Sequence, residues 1–352
     1  MNILITHYTS YKAICIAKFI KLNYSTFKII GMAEGDKTTL LCSKYFDKVI
    51  VLLDFKASDE LREIIKNEKV DILFPIRNSE MDFWLNRKKE FKDILSYWGD
   101  EESFKKLNDK FTLYNIAQSL GVKTPASYTW DDVPDLKVVV KPRNLSSSKG
   151  VKYISNKKEF LSLKNETQNR SDYVIQEYIE GKGIGYSCFC RNGDIIIGYG
   201  HKRLAEYPVT GGSSVYRETY NDDRLKQTAA KLISAVKWSG FAMIEFKLSD
   251  DNEIYLIEVN PRIWGSINQG LQNGINYFLP LLGNPQRNIN SGKRQIDTYL
   301  SPLIYLTLLK YSLHFNFKPV FNFIKNLPYN KADVSLLNDP KGWVSLIIGK
   351  LF

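Results

Sequence analysis

Two apolar runs near residue 250 carry the side chains best suited to chemistry. The first covers residues 241–247, the second begins at Ile254, and each has the alternation that is typical of a β-strand. The intervening residues 249–253, Ser-Asp-Asp-Asn-Glu, are rich in turn-forming types. The pattern predicts an antiparallel hairpin with a tight connection.

Four polar side chains interrupt these runs. Glu258, Asn260 and Arg262 follow one another at intervals of two, so we expect the first two to share a face of the strand and Arg262 to continue it. Glu245 belongs to the partner strand and can face them. Two carboxylates and an amide oxygen form a hard-oxygen site suited to Mg²⁺ carrying nucleotide phosphates, with Mn²⁺ as an alternative ion.

Acidic residues on the solvent-exposed face of a hairpin are common, and glutamates in such a position would not require a metal. Here both glutamates stand between large apolar neighbours, as in Ile244-Glu-Phe246 and Ile257-Glu-Val259. Charges in such positions usually require a partner. We therefore favour a metal site at Glu245, Glu258 and Asn260.

The order of motifs along the chain is more specific than any one of them. Lys110, Lys141, a Ser/Gly loop at 144–150 and Gln176-Glu-Tyr-Ile179 precede the hairpin in that order. This series resembles the ATP-grasp superfamily from about residue 1 to about residue 290. More narrowly, Gly183-Ile-Gly-Tyr-Ser187 and the His201–Ser214 segment resemble predicted carboxylate–amine ligases associated with surface-polysaccharide biosynthesis.

The resemblance implies a fold and a nucleotide site. The expected fold is α/β and α+β, with a Rossmann-like pre-ATP-grasp domain at 1–105 and an ATP-grasp domain at 106–290. That domain has two α+β subdomains that clasp the nucleotide, the smaller lid covering about 125–185. The resemblance assigns the segment around Gln176–Ile179 to adenine, and this is here called the adenine segment. The implied contacts to ATP come from the two lysines, the loop and the adenine segment with the acid that follows it: Lys110, Lys141, Ser146, Ser147, Ser148, Lys149, Glu177, Tyr178, Ile179 and Glu180.

Ribose binding is the point where the sequence departs from the family. An acid that holds the ribose hydroxyls is expected about where Gly185 stands. Glu180 is the acid that could substitute for it, and it is predicted here as a nucleotide contact on that ground.

The His201-Lys-Arg203 segment follows a strand-like run and precedes a glycine-rich turn. Lys202 and Arg203 are predicted to contact phosphate or the substrate carboxylate, and Arg262 to stabilise charge in the transition state. His201 titrates near neutrality and could act as a general base, but this superfamily generally relies on electrostatics.

The N-terminal third alternates short apolar runs with helical stretches, which predicts a parallel sheet. The G-x-G-x-x-G fingerprint is missing after the first run, so a dinucleotide site is not expected. Arg77, Asn78 and Glu80 follow the run that ends at Pro75, where open sheets place ligand-binding loops. They are candidates for the acceptor substrate, and a solvated loop is an equal alternative.

The composition indicates a folded chain without a nucleic-acid partner. The 352 residues are 44% hydrophobic, and 49 basic against 38 acidic residues give a net charge of +11 without a dense basic run. The four cysteines lack zinc spacing, and neither a signal peptide nor an eighteen-residue apolar run is evident. These features favour the cytoplasm.

Residues 291–352 lie beyond the resemblance and are predicted to form a C-terminal helical extension. Its apolar stretch at 299–315 could dock on the ligase domain or make a peripheral membrane contact, and an oligomer is also compatible with the sequence.

The function that the resemblance implies is that of an ATP-dependent ligase, which joins a small-molecule carboxylate to an amine, with ATP and Mg²⁺, through an acyl phosphate. A carboxylase-like or kinase-like relative, or an ATP-binding regulator without turnover, are the alternatives.

Overall fold

The computed structural model of the chain describes residues 1–35, 41–52, 54, 58–145, 148–209, 211–286 and 295–351. It contains three β-sheets, of four, seven and four strands. The predicted hairpin is present in the seven-stranded sheet.

The first sheet is parallel, as predicted, and is formed by the N-terminal residues. Its spatial order is β3-β2-β1-β4, and the apolar strands β1 and β4 are buried because helices cover them. The strands are β1 (Asn2–Thr6), β2 (Lys28–Glu34), β3 (Lys48–Leu52) and β4 (Ile72–Phe74), and the helices are α1 (Tyr11–Asn23), α2 (Ser58–Asn67) and α3 (Asn78–Asn86).

Two capped helices, α4 (Glu101–Asn108) and α5 (Lys110–Ser119), lead from this unit to the rest of the chain. Asp109 separates them, and its carboxylate accepts a hydrogen bond of 2.8 Å from the N–H of Thr112. Asp109 is thus the N-cap of α5. It fixes Lys110 as the first residue of α5.

A small antiparallel sheet, here called the lid, follows in the order β5-β8-β6-β7. Its strands are β5 (Ser127–Tyr128), β6 (Val138–Pro142), β7 (Lys152–Ile154) and β8 (Tyr173–Glu177), and helix α6 (Lys157–Glu166) packs on it. The lid has a core of its own. That core consists of Val133, Val138, Val140, Ile154, Phe160, Leu163 and Ile175.

The large sheet is the platform that faces the lid. Its order is β13-β12-β9-β10-β11-β14-β15, and it is antiparallel except for the last pair. The strands are β9 (Lys182–Arg191), β10 (Asp194–Tyr207), β11 (Ser213–Thr219), β12 (Gly240–Leu248), β13 (Ile254–Asn260), β14 (Thr298–Tyr299) and β15 (Lys331–Ala332), with helices α7 (Asp223–Ala235), α8 (Ile267–Gln272) and α9 (Leu279–Leu282).

The N-terminal sheet and the large sheet share one apolar core. The rings of Phe74 and Phe241 meet edge to face with centroids 6.0 Å apart, and Phe278 packs against both. The two sheets are therefore held as one packed body, whereas the lid core is separate from it.

The C-terminal segment contributes helices α10 (Leu303–Leu313), α11 (Lys318–Lys325) and α12 (Pro340–Leu351), and also the strands β14 and β15 that extend the large sheet. A fully buried ion pair between Arg217 on β11 and Asp333 fixes this segment to the sheet. Among the described residues, no helix combines the length and apolar character that crossing a bilayer would need.

Candidate active site

The two glutamates of the hairpin stand directly opposite each other. Glu245 on β12 pairs with Glu258 on β13, and the register then shifts by one residue because Ile257 is bulged out of the pairing. The carbonyl of Ile257 is thereby available to groups outside the hairpin. It accepts hydrogen bonds from the Tyr114 hydroxyl and, at 3.4 Å, from the Lys141 ammonium.

Asn260 joins the two carboxylates. Its Nδ2 donates to Glu245 Oε1 and to Glu258 Oε1, each at 3.0 Å, and its Oδ1 accepts a bond of 2.7 Å from Arg262 Nη2. The Nε of Arg262 is buried without an acceptor among the described residues. The structure thus brings these four side chains together and leaves one cationic donor for a bound anion.

Lys110 and Lys141 converge on the same hairpin from different parts of the chain. Lys110, at the start of α5, lies 3.1 Å from Glu258 Oε2 and donates to the carbonyl of Leu145 at 2.7 Å. Lys141 reaches the hairpin from lid strand β6. Both ammonium groups are buried, so each is suited to an anion that replaces water.

The charges of the site are strongly coupled. Burial and the neighbouring Lys110 lower the pKa of Lys141 to about 7. Burial favours the neutral form of Glu258, but Lys110 and Lys141 outweigh it and lower its pKa to about 2. Glu258 is therefore ionised at neutral pH, while Lys141 is close to its midpoint.

Arg203 holds the second glutamate. It forms an ion pair with Glu245, and its Nη1 lies 3.3 Å from Glu206 Oε1. Residues three apart normally face opposite sides of a strand. Here a register irregularity in β10 between Arg203 and Glu206 brings both side chains to the same face.

His201 is 2% exposed and lies behind these charges, where Ser266 Oγ is 3.3 Å from its Nε2. Burial, with Arg203 and Arg217 nearby, lowers its pKa to about 3. The imidazole is neutral at physiological pH. The ring also lines the cavity that contains Glu245, Glu258 and Asn260.

A pocket of about 130 Å³ lies between the lid and the large sheet. Typical small-molecule pockets enclose roughly 300–1,000 Å³, so a nucleotide would require the lid to move outward. Nine of the site residues predicted from the sequence line this pocket: Lys110, Lys141, Ser148, Glu177, Tyr178, Ile179, Arg203, Glu245 and Glu258. The predicted Ser146 and Ser147 lie outside the described residues, and Lys149 lines a different cleft.

The predicted adenine segment is only partly available to a base. The N–H of Glu177 donates to Ala126 O at 2.9 Å, and that of Tyr178 donates to Lys137 O at 3.1 Å. Both donors are already engaged within the lid. A base would have to use carbonyl groups of this segment or the N–H of Ile179.

The residue predicted to contact ribose, Glu180, does not line the pocket between the lid and the large sheet, whereas two other polar residues do. Glu180 is exposed, and the pocket lining does not include it. Glu206 and Lys247 do line the pocket, and Lys247 donates to Gly181 O at 3.1 Å. Sequence reasoning missed both; the signal for Glu206 was its place within the 201–214 motif.

A second, larger cleft of about 820 Å³ opens between the N-terminal unit and the α4–α5 region. The basic residues of its lining, among them Arg77, Lys149 and Arg262, outnumber the acidic residues Asp82, Glu102 and Asp109, so it is suited to an anionic ligand. Asn78 also lines this cleft. Glu80, which was a candidate together with Arg77 and Asn78, is instead buried and paired with His7.

Lys202 is not brought to the carboxylates. Its ammonium lies 3.1 Å from Glu218 Oε1 on β11, and it lines a separate cavity beside α11. The adjacent Arg203 is the member of the predicted pair that reaches Glu245.

The donor set fits a divalent ion if one oxygen of Asn260 takes part. No cluster of three or more His, Cys, Asp or Glu is present in the part of the chain that the structure describes. An ion would therefore depend on Glu245, Glu258, the Asn260 amide and oxygens of the substrate. Asn260 Oδ1 accepts one bond from Arg262, and its second lone pair is available to such an ion.

The segment that carries this site is similar in sequence to a known protein family. Residues 107–266 match the family described as the ATP-grasp domain. The matched segment is a little under half of the chain, so over these residues the chain is similar to that family. They contain the lid, both lysines, the β12–β13 hairpin and Arg262.

Several related sequences are named as ligases. A D-alanine–D-alanine ligase of Fusobacterium nucleatum is 28% identical over 165 residues, 43% of this chain and 55% of that protein. A tyramine–L-glutamate ligase of Methanocaldococcus fervens is 24% identical over 225 residues, 62% of this chain and 68% of that protein. The chain spans about half the length of the first curated relatives it matches.

Solved structures extend the similarity beyond the ATP-grasp domain. An L-amino acid ligase from Bacillus licheniformis superposes with a TM-score of 0.62 at 19% identity, covering 86% of this chain and 80% of that one. The biotin carboxylase domain of a Hydrogenobacter thermophilus carboxylase, solved with MgADP, gives a TM-score of 0.63 at 14% identity, covering 78% and 67%. At these identities the likeness concerns the fold, and the predicted fold class is confirmed.

Proposed function

We propose that this chain is an ATP-dependent carboxylate–amine ligase. The observation that carries the proposal is the convergence of Lys110 and Lys141 on Glu258, at a pocket between the lid and the large sheet. Cations from two subdomains facing ionised carboxylates suit a polyphosphate with its divalent ion. The named relatives that are ligases support the same class.

Each group of residues has a role in this proposal. The apolar part of the lid pocket would hold the base, with Glu206 or Lys247 beside the ribose. Lys110, Lys141, Ser148 and the loop residues Ser146, Ser147 and Lys149 would bind phosphates. Glu245, Glu258 and Asn260 would hold Mg²⁺, or Mn²⁺, which supplies neutralising charge when bound.

The chemistry requires two steps on the substrates. An oxygen of the substrate carboxylate attacks the γ-phosphorus of ATP, which gives an acyl phosphate and releases ADP. The amine then attacks the acyl carbon; phosphate leaves, and the nitrogen loses a proton as the amide forms. Arg262, with its free Nε, would stabilise the oxyanion of the second step, and Arg203 would keep Glu245 in place.

The 820 Å³ cleft is the proposed place of the carboxylate substrate, because Arg262 lines both it and the cavity around Glu258. Its cationic lining suits a sugar acid or an amino acid, which the subgroup resemblance associates with surface polysaccharide. We place the reaction in the cytoplasm, where ATP is available. Lys202 lies on a neighbouring cavity and would act on substrate only from there.

The first test is release of ADP from Mg·ATP with amino acids and uronic acids, supplied singly and in pairs. The ligase proposal expects release that needs a carboxylate and an amine together. Release with a carboxylate alone would indicate an acyl-phosphate-forming relative. Absence of Mg·ATP binding in a direct titration would contradict the proposal.

The matched variants are Glu258→Gln and Glu253→Gln. Removal of the charge at Glu258 is expected to lower ADP release by at least about a hundredfold, because the divalent ion would lose an anionic ligand. Glu253 is exposed in the hairpin connection and pairs with Lys123, so its variant is the control for the hairpin. Equal rates in two folded variants would exclude the assignment of Glu258.

A further inference from the structure

The outer faces of α10 and α11 are apolar and exposed. On α10 the exposed side chains Tyr305, Leu306, Leu309 and Leu313 fall on one stripe, spaced as one helix face requires. On α11 and its approach, Phe317, Phe321 and Ile324 form a second stripe. Phe315, which lies between the helices, is 85% exposed.

These stripes are not misplaced core residues. The inner faces of the same helices supply Ile304 and Phe323, which pack with Tyr216 on the large sheet. The two helices are therefore docked, and their outer stripes form a second apolar surface on the solvent side. Nearly half of the large apolar side chains that are exposed in the described part of the chain come from residues 305–329. Apolar patches of this kind mark interaction sites.

The charged side chains within the segment that forms this surface have one sign. Lys310, Lys318, Lys325 and Lys331 lie on or beside the two helices, and residues 298–332 contain no Asp or Glu. Lys318, Lys325 and Lys331 are exposed. An acidic protein partner would need to match individual lysines, whereas an anionic bilayer offers negative charge over a continuous plane together with an apolar interior.

We propose that the surface formed by α10 and α11 (residues 303–325) docks on an anionic membrane. The aromatic and leucine side chains would enter the headgroup region while the lysines contact lipid phosphates. The helices would lie in the interface. A cavity of about 420 Å³ between Lys318 on α11 and Arg203 on β10 would then open next to the bilayer.

The test is sedimentation of the full chain with vesicles of phosphatidylcholine alone or with an equal part of phosphatidylglycerol. We expect at least about fivefold more bound protein with the anionic vesicles, and a decrease as salt is raised. Two double variants address the two parts of the surface: Phe315→Ser with Phe321→Ser, and Lys318→Glu with Lys325→Glu. Each should lower binding at least about fivefold.

Matched controls lie on the lid. Leu161→Ser removes an exposed leucine from α6, and Lys152→Glu with Lys158→Glu gives the same change in net charge. These controls should bind as the parent chain does. Absence of binding to anionic vesicles, or equal loss in the lid variants, would overturn the proposal. A concentration-dependent dimer without vesicle binding, dissociated by the Phe315 and Phe321 changes, would also overturn it and assign the surface to a second copy.

Discussion

Glu245 and Glu258 are the same residue type at the same level of one hairpin, yet their pKa values move in opposite directions. Burial and the charge of Glu258 raise the pKa of Glu245, although Arg203 opposes this shift. Lys110 and Lys141 lower that of Glu258. The position of each cation therefore decides the charge at the site, and a change of one lysine should alter both carboxylates.

Lys141 gives a pH dependence with a definite sign. In the free chain it loses its proton above about pH 7, whereas phosphate would favour the charged form. Binding of Mg·ATP above this pH should take up a proton, so the affinity should fall as pH rises, by up to about tenfold per unit. Titration calorimetry from about pH 6 to about pH 9 measures both quantities.

Two substitutions make this expectation specific. Lys141→Arg keeps a charge that does not titrate in this range, so the affinity should become nearly independent of pH. Lys141→Met should bind more weakly at every pH and show no proton uptake. A slope that persists in Lys141→Met would assign the titration to another group.

At this scale the sequence predicts residue types better than residue directions. The i, i+2 rule placed Glu258 and Asn260 on one face, and the structure shows both in contact through the amide. The same rule wrongly places Glu206 on the opposite face of β10 from Arg203. The irregularity in β10 between these residues brings both side chains to one face. Such an irregularity depends on the neighbouring strand, which a local pattern does not contain.

Two strands with irregular pairing, β10 and β13, orient the side chains of the site. The bulge at Ile257 turns one carbonyl toward Lys141 and Tyr114, and so links the hairpin to the lid strand β6 and to α5. The hairpin itself was predictable from alternation and turn residues. Its bulge was not, because the preferred register is a property of both strands together.

The lid should be separable from the body in stability, since its core is small and independent. Phe160 is 2% exposed and stacks on Trp130 with ring centroids 5.6 Å apart. Phe160→Ala should destabilise the lid by about 3–5 kcal/mol, and nucleotide affinity should fall with it. Hydrogen exchange should rise in the lid but not in the large sheet.

The control for this change is its neighbour on the same helix. Leu161 is 48% exposed, so Leu161→Ala should leave both exchange and nucleotide affinity nearly unchanged. Exchange that rises equally in β9 and β12 after the Phe160 change would mean that the lid and the body unfold together.

For the whole molecule, the C-terminal residues are part of the large sheet. Arg217 and Asp333 are both fully buried, and Asp333 also accepts a 3.1 Å bond from Asn268. Asp333→Ala should lower the free energy of unfolding of the body by about 3–5 kcal/mol, because an unpaired guanidinium would remain inside. Thermal or denaturant unfolding measures this loss.

A paired replacement distinguishes charge from packing. Arg217→Met with Asp333→Leu removes both charges and should recover most of the lost stability. Asp250→Ala, an exposed change in the hairpin connection, should have little effect. Equal destabilisation by the single and double changes would mean that packing around Asp333, rather than the ion pair, is what matters.

The general architecture follows from the sequence, but the role of its last part does not. Alternating strands and helices predicted the parallel N-terminal sheet, and the motif order predicted the two-subdomain clasp. The strands β14 and β15 have only two residues each. Periodicity cannot detect such short strands, and the pairing of β14 with β11 joins residues more than eighty positions apart in the chain.

The pairing of β14 with β11 also determines when the large sheet can be completed during synthesis of the chain. While the ribosome is still producing the last part of the chain, β11 has an uncovered edge and Arg217 has no counter-ion. The domain that carries the site can reach its final form only after Asp333 has emerged. Nascent chains that stall before that point would leave this edge of β11 unpaired, and unpaired strand edges promote aggregation.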